Sequence, residues 1–154
     1  MSLKTKTSEQ TYVTIKIAGE LFGLNVNKVK EVIGLTGMTK IPNVLPYMKG
    51  LINLRGKAIP LVDMRLKFGI EEKEYDKHTV IVIVKIKKRL IGLIVDSVLD
   101  VLNIEADEIQ DTPHFASEAS SDCIKGVVHE ETRTVVIMDV DRVFTEKELT
   151  NITE

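Results

Sequence analysis

Arg55 is the residue of this sequence whose type and position best suit recognition chemistry. It lies in a polar corner, Asn53-Leu54-Arg55-Gly56-Lys57, between two apolar runs. A guanidinium is planar and permanently charged, and it forms two parallel hydrogen bonds with a carboxylate. We expect Glu31 to hold Arg55 in this way. Such a pair positions a binding partner and does not make or break covalent bonds.

The histidines and the single cysteine form no catalytic or metal-binding pattern. His78, His114 and His129 lack the HxxxH and HExxH spacings, so we expect them at surface or loop positions. Because Cys123 is the single cysteine, an intramolecular disulfide and a zinc site built on paired cysteines are excluded. We expect its thiol to be buried or inert. The sequence contains no P-loop, GxGxxG or GxSxG motif. It therefore predicts a protein without a cofactor or metal.

The composition indicates a globular protein and disfavours binding to nucleic acid and insertion into a membrane. Of the 154 residues, 44% are hydrophobic and 29% are charged, which suits a folded core. The net charge of −2 and the 5% aromatic content disfavour phosphate binding and base stacking. No apolar run approaches the ~18 residues of a membrane span. The segment MSLKTKTSEQTY lacks the apolar stretch of a secretory signal, so we expect a cytoplasmic protein.

One structural unit occurs twice. LFGLNVNKVKEVI (21–33) matches LIGLIVDSVLDVL (90–102) at an offset of 69 residues. MKGLINLRGKAIPLVDMRLKF (48–68) matches IKGVVHEETRTVVIMDVDRVF (124–144) at an offset of 76. The excess of seven residues belongs in the loop 104–122 of the second copy. A unit of this size is marginal by itself, so we expect the two copies to share a core.

Each copy has the pattern of a small β-barrel. YVTIKI alternates apolar and polar residues, and TVIVIVKI is almost continuous valine and isoleucine, as in strands. About five short strands per copy, with little helix, favour a barrel that closes its own edges. We expect a single domain over 1–154, with a first barrel over 12–75 and a second over 76–149.

Comparison of the copies separates architectural positions from functional ones. Asp63 and Asp139 match, and each can cap a short helix. An enzyme that uses these two aspartates as an acid–base pair is a hypothesis, but equivalent caps in different barrels would lie far apart. Arg55 matches Glu131. The barrel therefore does not require an arginine at the corner, which favours a functional role for Arg55.

The segments GLINLRGKAIPLVDMRLKFG, IGLIVDSVLDVL and IKGVVHEETRTVVIMDVDRVF together resemble the CheW family of chemotaxis coupling proteins. The resemblance extends from about Thr11 to Phe144. It implies an all-β fold with short helices, in which two SH3-like five-stranded β-barrels pack on a shared hydrophobic core. It also implies a non-enzymatic adaptor that links the cytoplasmic tip helices of chemoreceptors to the histidine kinase CheA, at receptor arrays on the inner face of the membrane.

The resemblance assigns binding roles to particular residues. The receptor-facing candidates are Val29, Glu31, Gly50, Arg55 and Val101. A groove between two barrels can receive an amphipathic receptor helix, with a charged group at its rim that sets the register. Val29, Gly50 and Val101 each match an identical residue in the other copy, so a purely structural role is the alternative for them.

The kinase contact is expected on aliphatic residues near an edge of the first copy. The candidates are Ile33, Leu35 and Ile41, and their partner would be the SH3-like regulatory domain of CheA. Such a contact between barrels would be mainly apolar with a polar rim. The second copy would offer a weaker face.

Two other functions remain open at the level of the sequence. Relatives of the adaptor serve other receptor–kinase pathways, such as twitching motility. A small-barrel protein that binds nucleic acid is the other alternative, although the charge and the few aromatic residues disfavour it.

Overall fold

The computed structural model describes residues 9–35, 37–40, 45–111 and 123–153. These residues form ten strands, namely β1 (Glu9–Ile17), β2 (Glu20–Asn25), β3 (Val29–Gly34), β4 (Met48–Leu54), β5 (Lys57–Asp63), β6 (Val80–Ile86), β7 (Arg89–Val95), β8 (Ser97–Glu105), β9 (Ile124–His129) and β10 (Thr134–Met138). They also form two short α-helices, α1 (Met64–Lys67) and α2 (Glu146–Thr153), and 3₁₀ turns at Val26–Lys28, Ala106–Glu108 and Val140–Arg142. The fold is therefore mostly β with few short helices, as predicted.

The strands form two five-stranded sheets that exchange strands between the two sequence copies. Sheet A has the order β8-β1-β2-β10-β9, and sheet B has the order β3-β6-β7-β5-β4. The first hairpin of each copy thus joins the remaining three strands of the other copy. The expected barrel boundaries, 12–75 and 76–149, are wrong in this respect, because each sheet contains strands from both ranges.

Each sheet contains one parallel pair of strands, and this pair joins the two copies. β10 runs parallel to β2, and β5 runs parallel to β7, whereas the other pairs in both sheets are antiparallel. Gly92 lies beside β5, and a Cβ atom there would come within 2.5 Å of Leu61 Cδ2. The matched glycine of the first copy, Gly23, lies beside Ile137 of β10. These shared glycines therefore allow close approach at the strands that join the copies.

A single pair of residues closes each sheet into a barrel. Thr39, after β3, exchanges two backbone hydrogen bonds of 2.8 Å with Leu51 of β4. Gln110, after β8, does the same with Val127 of β9. Each bridge joins the segment that follows the first strand of a sheet to the last strand of that sheet, as closure into a small barrel requires.

The apolar residues form three clusters. One cluster fills sheet B around Ile59 and Ile83, and a second fills sheet A around Tyr12 and Ile137. The largest lies between the sheets and combines residues of both, including Ile15 and Leu24 from sheet A and Val84 and Leu93 from sheet B. The expected shared hydrophobic core is therefore present, alongside a separate core in each barrel.

Asp63 and Asp139 cap the short helical segments that follow β5 and β10. Asp63 Oδ1 accepts a hydrogen bond from the Arg65 amide at 2.9 Å, and Asp139 Oδ1 accepts one from the Asp141 amide at 3.0 Å. The predicted capping role is confirmed for both residues.

Candidate functional site

Arg55 lies at the tip of the hairpin that joins β4 and β5. Its φ of 50° and the φ of 84° at Gly56 are both positive, the pattern of a type I′ turn. The amide of Gly56 donates to the side-chain oxygen of Asn53 at 3.1 Å, which stabilises the corner. The side chain of Arg55 is 71% exposed. The turn thus presents a guanidinium to solvent.

Glu31 meets this guanidinium from the other edge of sheet B. One guanidinium nitrogen of Arg55 lies 3.5 Å from Glu31 Oε2, and the other forms a closer hydrogen bond with Oε1. This two-point contact raises the pKa of Arg55. Because β3 and β4 are the two edge strands of the sheet, the pair spans the seam of the barrel. The predicted contact between Glu31 and Arg55 is therefore present.

The second copy carries an ion pair in a comparable place. Asp100 of β8 matches Glu31 in the repeat, and Arg133 Nη1 contacts its two carboxylate oxygens at 3.1 and 3.3 Å. Arg133 also donates from Nε to Glu130. The second copy therefore also has an arginine close to its corner, although the repeat sets Glu131 against Arg55. The alignment missed Arg133 because it stands two positions beyond the match to Arg55.

The two pairs differ in how much of the cation they present. The side chain of Arg133 is 22% exposed and contacts two carboxylates, whereas that of Arg55 is 71% exposed and contacts one. Hydrogen bonds to Glu130 and Asp100 raise the pKa of Arg133. Only the first corner therefore offers a guanidinium with free hydrogen-bonding faces to a partner.

The other receptor-facing candidates occupy different environments. Val29 is half-buried and packs on the core between the sheets. Gly50 is buried, and a Cβ atom there would lie 2.3 Å from the Thr39 carbonyl oxygen of the closing bridge. Val101 is 60% exposed on β8, the edge strand of sheet A. Four of the five candidates thus belong to sheet B, and Val101 belongs to sheet A.

Two of the three kinase-facing candidates are described. Ile33 on β3 and Leu35 just after it are half-buried and pack against the apolar cluster inside sheet B. Ile41 lies outside the described residues. Ile33 lies on β3, the first strand of sheet B, and its contact with the kinase stays a prediction.

Asp63, one of the two aspartates of the hypothetical acid–base pair, accepts hydrogen bonds at both carboxylate oxygens. Asp63 Oδ1 accepts hydrogen bonds from two backbone amides, and Oδ2 accepts one from the Tyr75 hydroxyl at 2.6 Å. Cys123 is buried, as expected. Within the described residues, no group of three or more acidic, histidine or cysteine side chains could hold a metal ion. The described part of the chain also has no helix with the length and apolar character needed to span a membrane.

Comparison with known proteins gives a consistent result. A family model described as CheW-like domain matches residues 11–148. The chain is 30% identical to chemotaxis protein CheW of Klebsiella aerogenes, over 96% of this chain and 89% of the relative. It is 33% identical to the protein of that name from Rhizobium meliloti, over 88% of each chain.

A solved structure shows the same architecture. The crystal structure of the scaffolding protein TtCheW from Thermoanaerobacter tengcongensis superimposes with a TM-score of 0.80 at 32% sequence identity. The alignment covers 88% of this chain and 92% of that one. With the family match, the two exchanged sheets and the NLRG corner, these similarities establish that the chain belongs to the CheW family.

Proposed function

We propose that the chain is a non-enzymatic scaffold of bacterial chemotaxis, which couples the cytoplasmic tips of methyl-accepting chemoreceptors to the histidine kinase CheA. Relatives over nearly the whole chain are named chemotaxis proteins, and a solved relative is titled a scaffolding protein. An adaptor needs two binding surfaces and no reactive group, and the candidate catalytic aspartate serves as a helix cap.

The Glu31–Arg55 pair is the observation that carries this proposal. It joins β3 to the hairpin that follows β4, and its arginine is 71% exposed, against 22% for Arg133 in the comparable pair of the second copy. Glu31 orients the guanidinium and leaves its outer donors available. A receptor helix with a carboxylate or a free carbonyl beside its apolar face would complete the contact.

The remaining receptor-facing candidates would act in different ways. Val29 at the margin of the shared core and the exposed Val101 supply apolar contact. Gly50 acts indirectly, since it allows the bridge that fixes the chain next to the Arg55 hairpin. No cofactor takes part in this function.

The kinase would bind a separate face, so that receptor and kinase are held together. Ile33 and Leu35 on the β3 side, with Ile41, are the residues we assign to the regulatory domain of CheA. The protein would act in the cytoplasm and be recruited to receptor arrays at the inner face of the membrane.

Binding measurements with purified partners test the proposal. We expect Arg55→Ala to weaken binding to a chemoreceptor cytoplasmic fragment by about tenfold or more, as for an interface hot spot. Binding to the CheA regulatory domain should not change. Lys57→Ala is the matched control, because Lys57 is an exposed cation of the same hairpin.

Two outcomes would contradict the proposal. Wild-type receptor affinity in both Arg55→Ala and Glu31→Ala would show that the pair does not contact the receptor. If the chain binds neither partner but binds the kinase of another receptor pathway, such as twitching motility, the scaffold belongs to that pathway.

A further inference from the structure

A cleft lies beside Tyr12 at one end of sheet A. Its first part has a volume of about 270 Å³ and reaches Asp139, the residue that follows β10. Its second part, of about 510 Å³, extends along the apolar side chains of Ile104 and Ile109. Both parts are lined by Tyr12, Asn25 and Lys125. The two parts therefore form one cleft, which has the size of a site for a small molecule.

The hydroxyl of Tyr12 is a polar group of this cleft that lacks a partner. Tyr12 is 2% exposed, and its ring belongs to the apolar cluster inside sheet A. Its hydroxyl forms no hydrogen bond with any described residue. Burial and the nearby Asp139 carboxylate raise the pKa of Tyr12, so the hydroxyl keeps its proton. A polar group placed so deeply calls for a hydrogen-bond partner, which the cleft has room to hold.

Asp139 offers an acceptor to the same cleft. Its Oδ1 accepts the capping hydrogen bond from the Asp141 amide at 3.0 Å. Its Oδ2 accepts no hydrogen bond within the part of the chain that the structure describes. A group between Tyr12 and Asp139 can thus accept a hydrogen bond from the first and donate one to the second. A hydroxyl group does both.

The first copy shows which group fills the equivalent place. Asp139 matches Asp63, and Tyr12 matches Ile81. Asp63 Oδ2, the oxygen that the cap does not use, accepts a hydrogen bond from the Tyr75 hydroxyl at 2.6 Å. The ring of Tyr75 packs against the cluster inside sheet B, to which Ile81 belongs. A phenol ring with its hydroxyl on the capping aspartate therefore covers this end of sheet B.

The described residues supply no such ring to sheet A. Tyr75 lies in the connection from α1 to β6, which follows Asp63. The chain beyond Asp139 leads instead to α2, whose Leu149 and Ile152 pack into the core between the sheets. The second copy therefore has a cleft where the first copy has Tyr75.

The charges around the cleft balance. Lys28 and Asp141 form an ion pair at 2.8 Å, and Lys125 and Asp139 add one charge of each sign. A site with no net charge favours a neutral ligand over an ion. The apolar walls of the second part suit a ring, so an undissociated phenol matches both halves of the cleft.

We propose that this cleft binds a small phenol, with its ring along Ile104 and Ile109 and its hydroxyl between Tyr12 and Asp139. The ligand hydroxyl donates to Asp139 Oδ2 and accepts from the Tyr12 hydroxyl. The contact repeats that of Tyr75 with Asp63, with a separate molecule in place of the side chain. It is independent of the proposed function, since none of the receptor-facing or kinase-facing residues lines the cleft.

Titration of the purified full chain with p-cresol, followed by NMR, tests the proposal. We expect saturable binding at one site with a dissociation constant of about 1 mM, as for a ligand of so few atoms. Toluene has the same ring and methyl group but no hydroxyl. It should bind at least tenfold more weakly, because the Tyr12 hydroxyl and Asp139 would stay unpaired.

Two substitutions test the hydrogen bonds. Asp139→Asn can keep the capping acceptor and replaces the other oxygen by a donor, so it should weaken p-cresol binding by about tenfold. Tyr12→Phe should weaken it by about fivefold. Asp107→Asn is the matched control, because Asp107 is exposed on the neighbouring turn and does not line the cleft. It should bind p-cresol as the wild type does.

Two further variants test the place of binding. Ala106→Trp should abolish binding, because Ala106 is an exposed residue of the cleft wall and a large ring there fills the space without disturbing the core. Tyr75→Ala opens the equivalent place in the first copy, so this variant should bind p-cresol at two sites. The ligand should also raise its unfolding temperature by more than that of the wild type.

Several results would overturn the proposal. Absence of saturable p-cresol binding to the wild type would do so, as would equal affinity for toluene or unchanged affinity in Asp139→Asn. Binding at a single site in Tyr75→Ala, with none in the wild type, would show that the first copy alone can hold a phenol. Binding of N-acetyl-L-tyrosine amide at least tenfold tighter than p-cresol would replace the small molecule by a tyrosine side chain of another polypeptide.

Discussion

At the residue scale, Arg55 combines an unfavourable backbone with a useful side chain. Its φ of 50° is in the left-handed region, which asparagine and glycine adopt at lower cost than arginine. Lys87 has a φ of 49° at the first position of the β6–β7 turn, so this backbone belongs to the hairpins and not to binding. The turn backbone therefore does not explain why residue 55 is an arginine, and the explanation lies in its side chain.

The first prediction separates the effect of the turn backbone on stability from the effect of the Arg55 side chain on binding. Arg55→Asn should give a small increase in the free energy of unfolding, because asparagine suits the turn, while receptor affinity falls. Lys87→Asn is the matched control, since Lys87 also forms an exposed ion pair, with Glu146. It should change stability similarly and leave receptor affinity unchanged. Urea unfolding and binding titration check both, and an equal loss of affinity in the two variants would contradict the role of Arg55.

Thr14 supports a second prediction at this scale. Its side chain is fully buried, and its hydroxyl has no hydrogen-bond partner within the described structure. The matching position in the second copy is Ile83. Thr14→Val should therefore raise the free energy of unfolding by about 1 kcal/mol, because the shape is kept and the cost of an unpaired hydroxyl is removed.

Thr79 provides the control for this substitution. It is also buried, but its hydroxyl accepts a hydrogen bond from the Asp76 amide at 2.9 Å. Thr79→Val should lower stability in the same urea titration, and a loss of stability in Thr14→Val as well would show that its hydroxyl is satisfied.

At the element scale, the closing bridges depend on the two matched glycines. A Cβ atom at Gly50 would lie 2.3 Å from Thr39 O, and one at Gly126 would lie 2.4 Å from Gln110 O. Gly50→Ala and Gly126→Ala should each lower the free energy of unfolding by roughly 1–3 kcal/mol through overpacking. Gly34→Ala is the control, because a Cβ atom there would have nothing within 4 Å. Thermal unfolding compares the three variants with the wild type. Unchanged stability in Gly50→Ala would show that the bridge can shift.

A half-buried ion pair connects segments that lie between the strands. Asp96, between β7 and β8, pairs with Arg65 of α1 at 2.8 Å, and both side chains are less than a fifth exposed. Asp96 also accepts a hydrogen bond from the Ala18 amide of the β1–β2 turn at 2.9 Å. One carboxylate thus joins segments of both sheets.

This pair leads to a prediction about pH. Burial raises the pKa of Asp96, but the Arg65 guanidinium and the Ala18 amide lower it by more, so the pKa is below its usual range. The stabilisation is therefore complete above the unfolded pKa of about 3.9 and is lost as the pH falls through the folded pKa. Asp96→Asn should lower stability by about 2 kcal/mol at pH 7 and by much less at pH 2 in urea unfolding. An equal loss of stability at pH 7 and pH 2 would show that the ionised form of Asp96 does not stabilise the fold.

Local patterns predicted most of the elements, and they could not predict which elements pair. The alternation in Val13, Ile15 and Ile17 placed β1 correctly and oriented its buried face. The parallel contact of β2 with β10 joins residues more than 110 positions apart, and either copy offers β2 a chemically similar partner. The copies therefore looked separable in sequence although their strands are exchanged.

The part of the site that could be predicted is the part in which one side chain has a strong preference for another chemical group. The pairing of Arg55 with Glu31 follows from the preference of a guanidinium for a carboxylate, although the two residues are 24 positions apart. Arg133 was missed because the repeat sets it against Lys57, two positions beyond the match to Arg55, and only the matched pair Arg55 and Glu131 was compared.

At the scale of the whole molecule, the exchange of strands makes each copy dependent on the other. The β1–β2 hairpin is bordered by β8 and β10, which both belong to the second copy. The β6–β7 hairpin is bordered by β3 and β5 of the first copy. The cluster between the sheets adds apolar contact from both copies, so neither copy has a complete sheet or core alone.

The last prediction follows from this dependence. Residues 9–75 and 76–153, produced as separate chains, should each lack a stable monomeric fold, because every sheet would lose two or three strands and a marginal unit of this length cannot bear that loss. Mixing them should give a 1:1 complex with the circular dichroism and dispersed amide spectrum of the intact chain. Leu93→Ala in the second fragment removes a fully buried side chain of the core between the sheets, and it should weaken the complex by about 2–5 kcal/mol. Lys88→Ala, at an exposed turn of the same fragment, should not. A monomeric fragment with a dispersed spectrum of its own would show that one copy can complete a barrel without its twin.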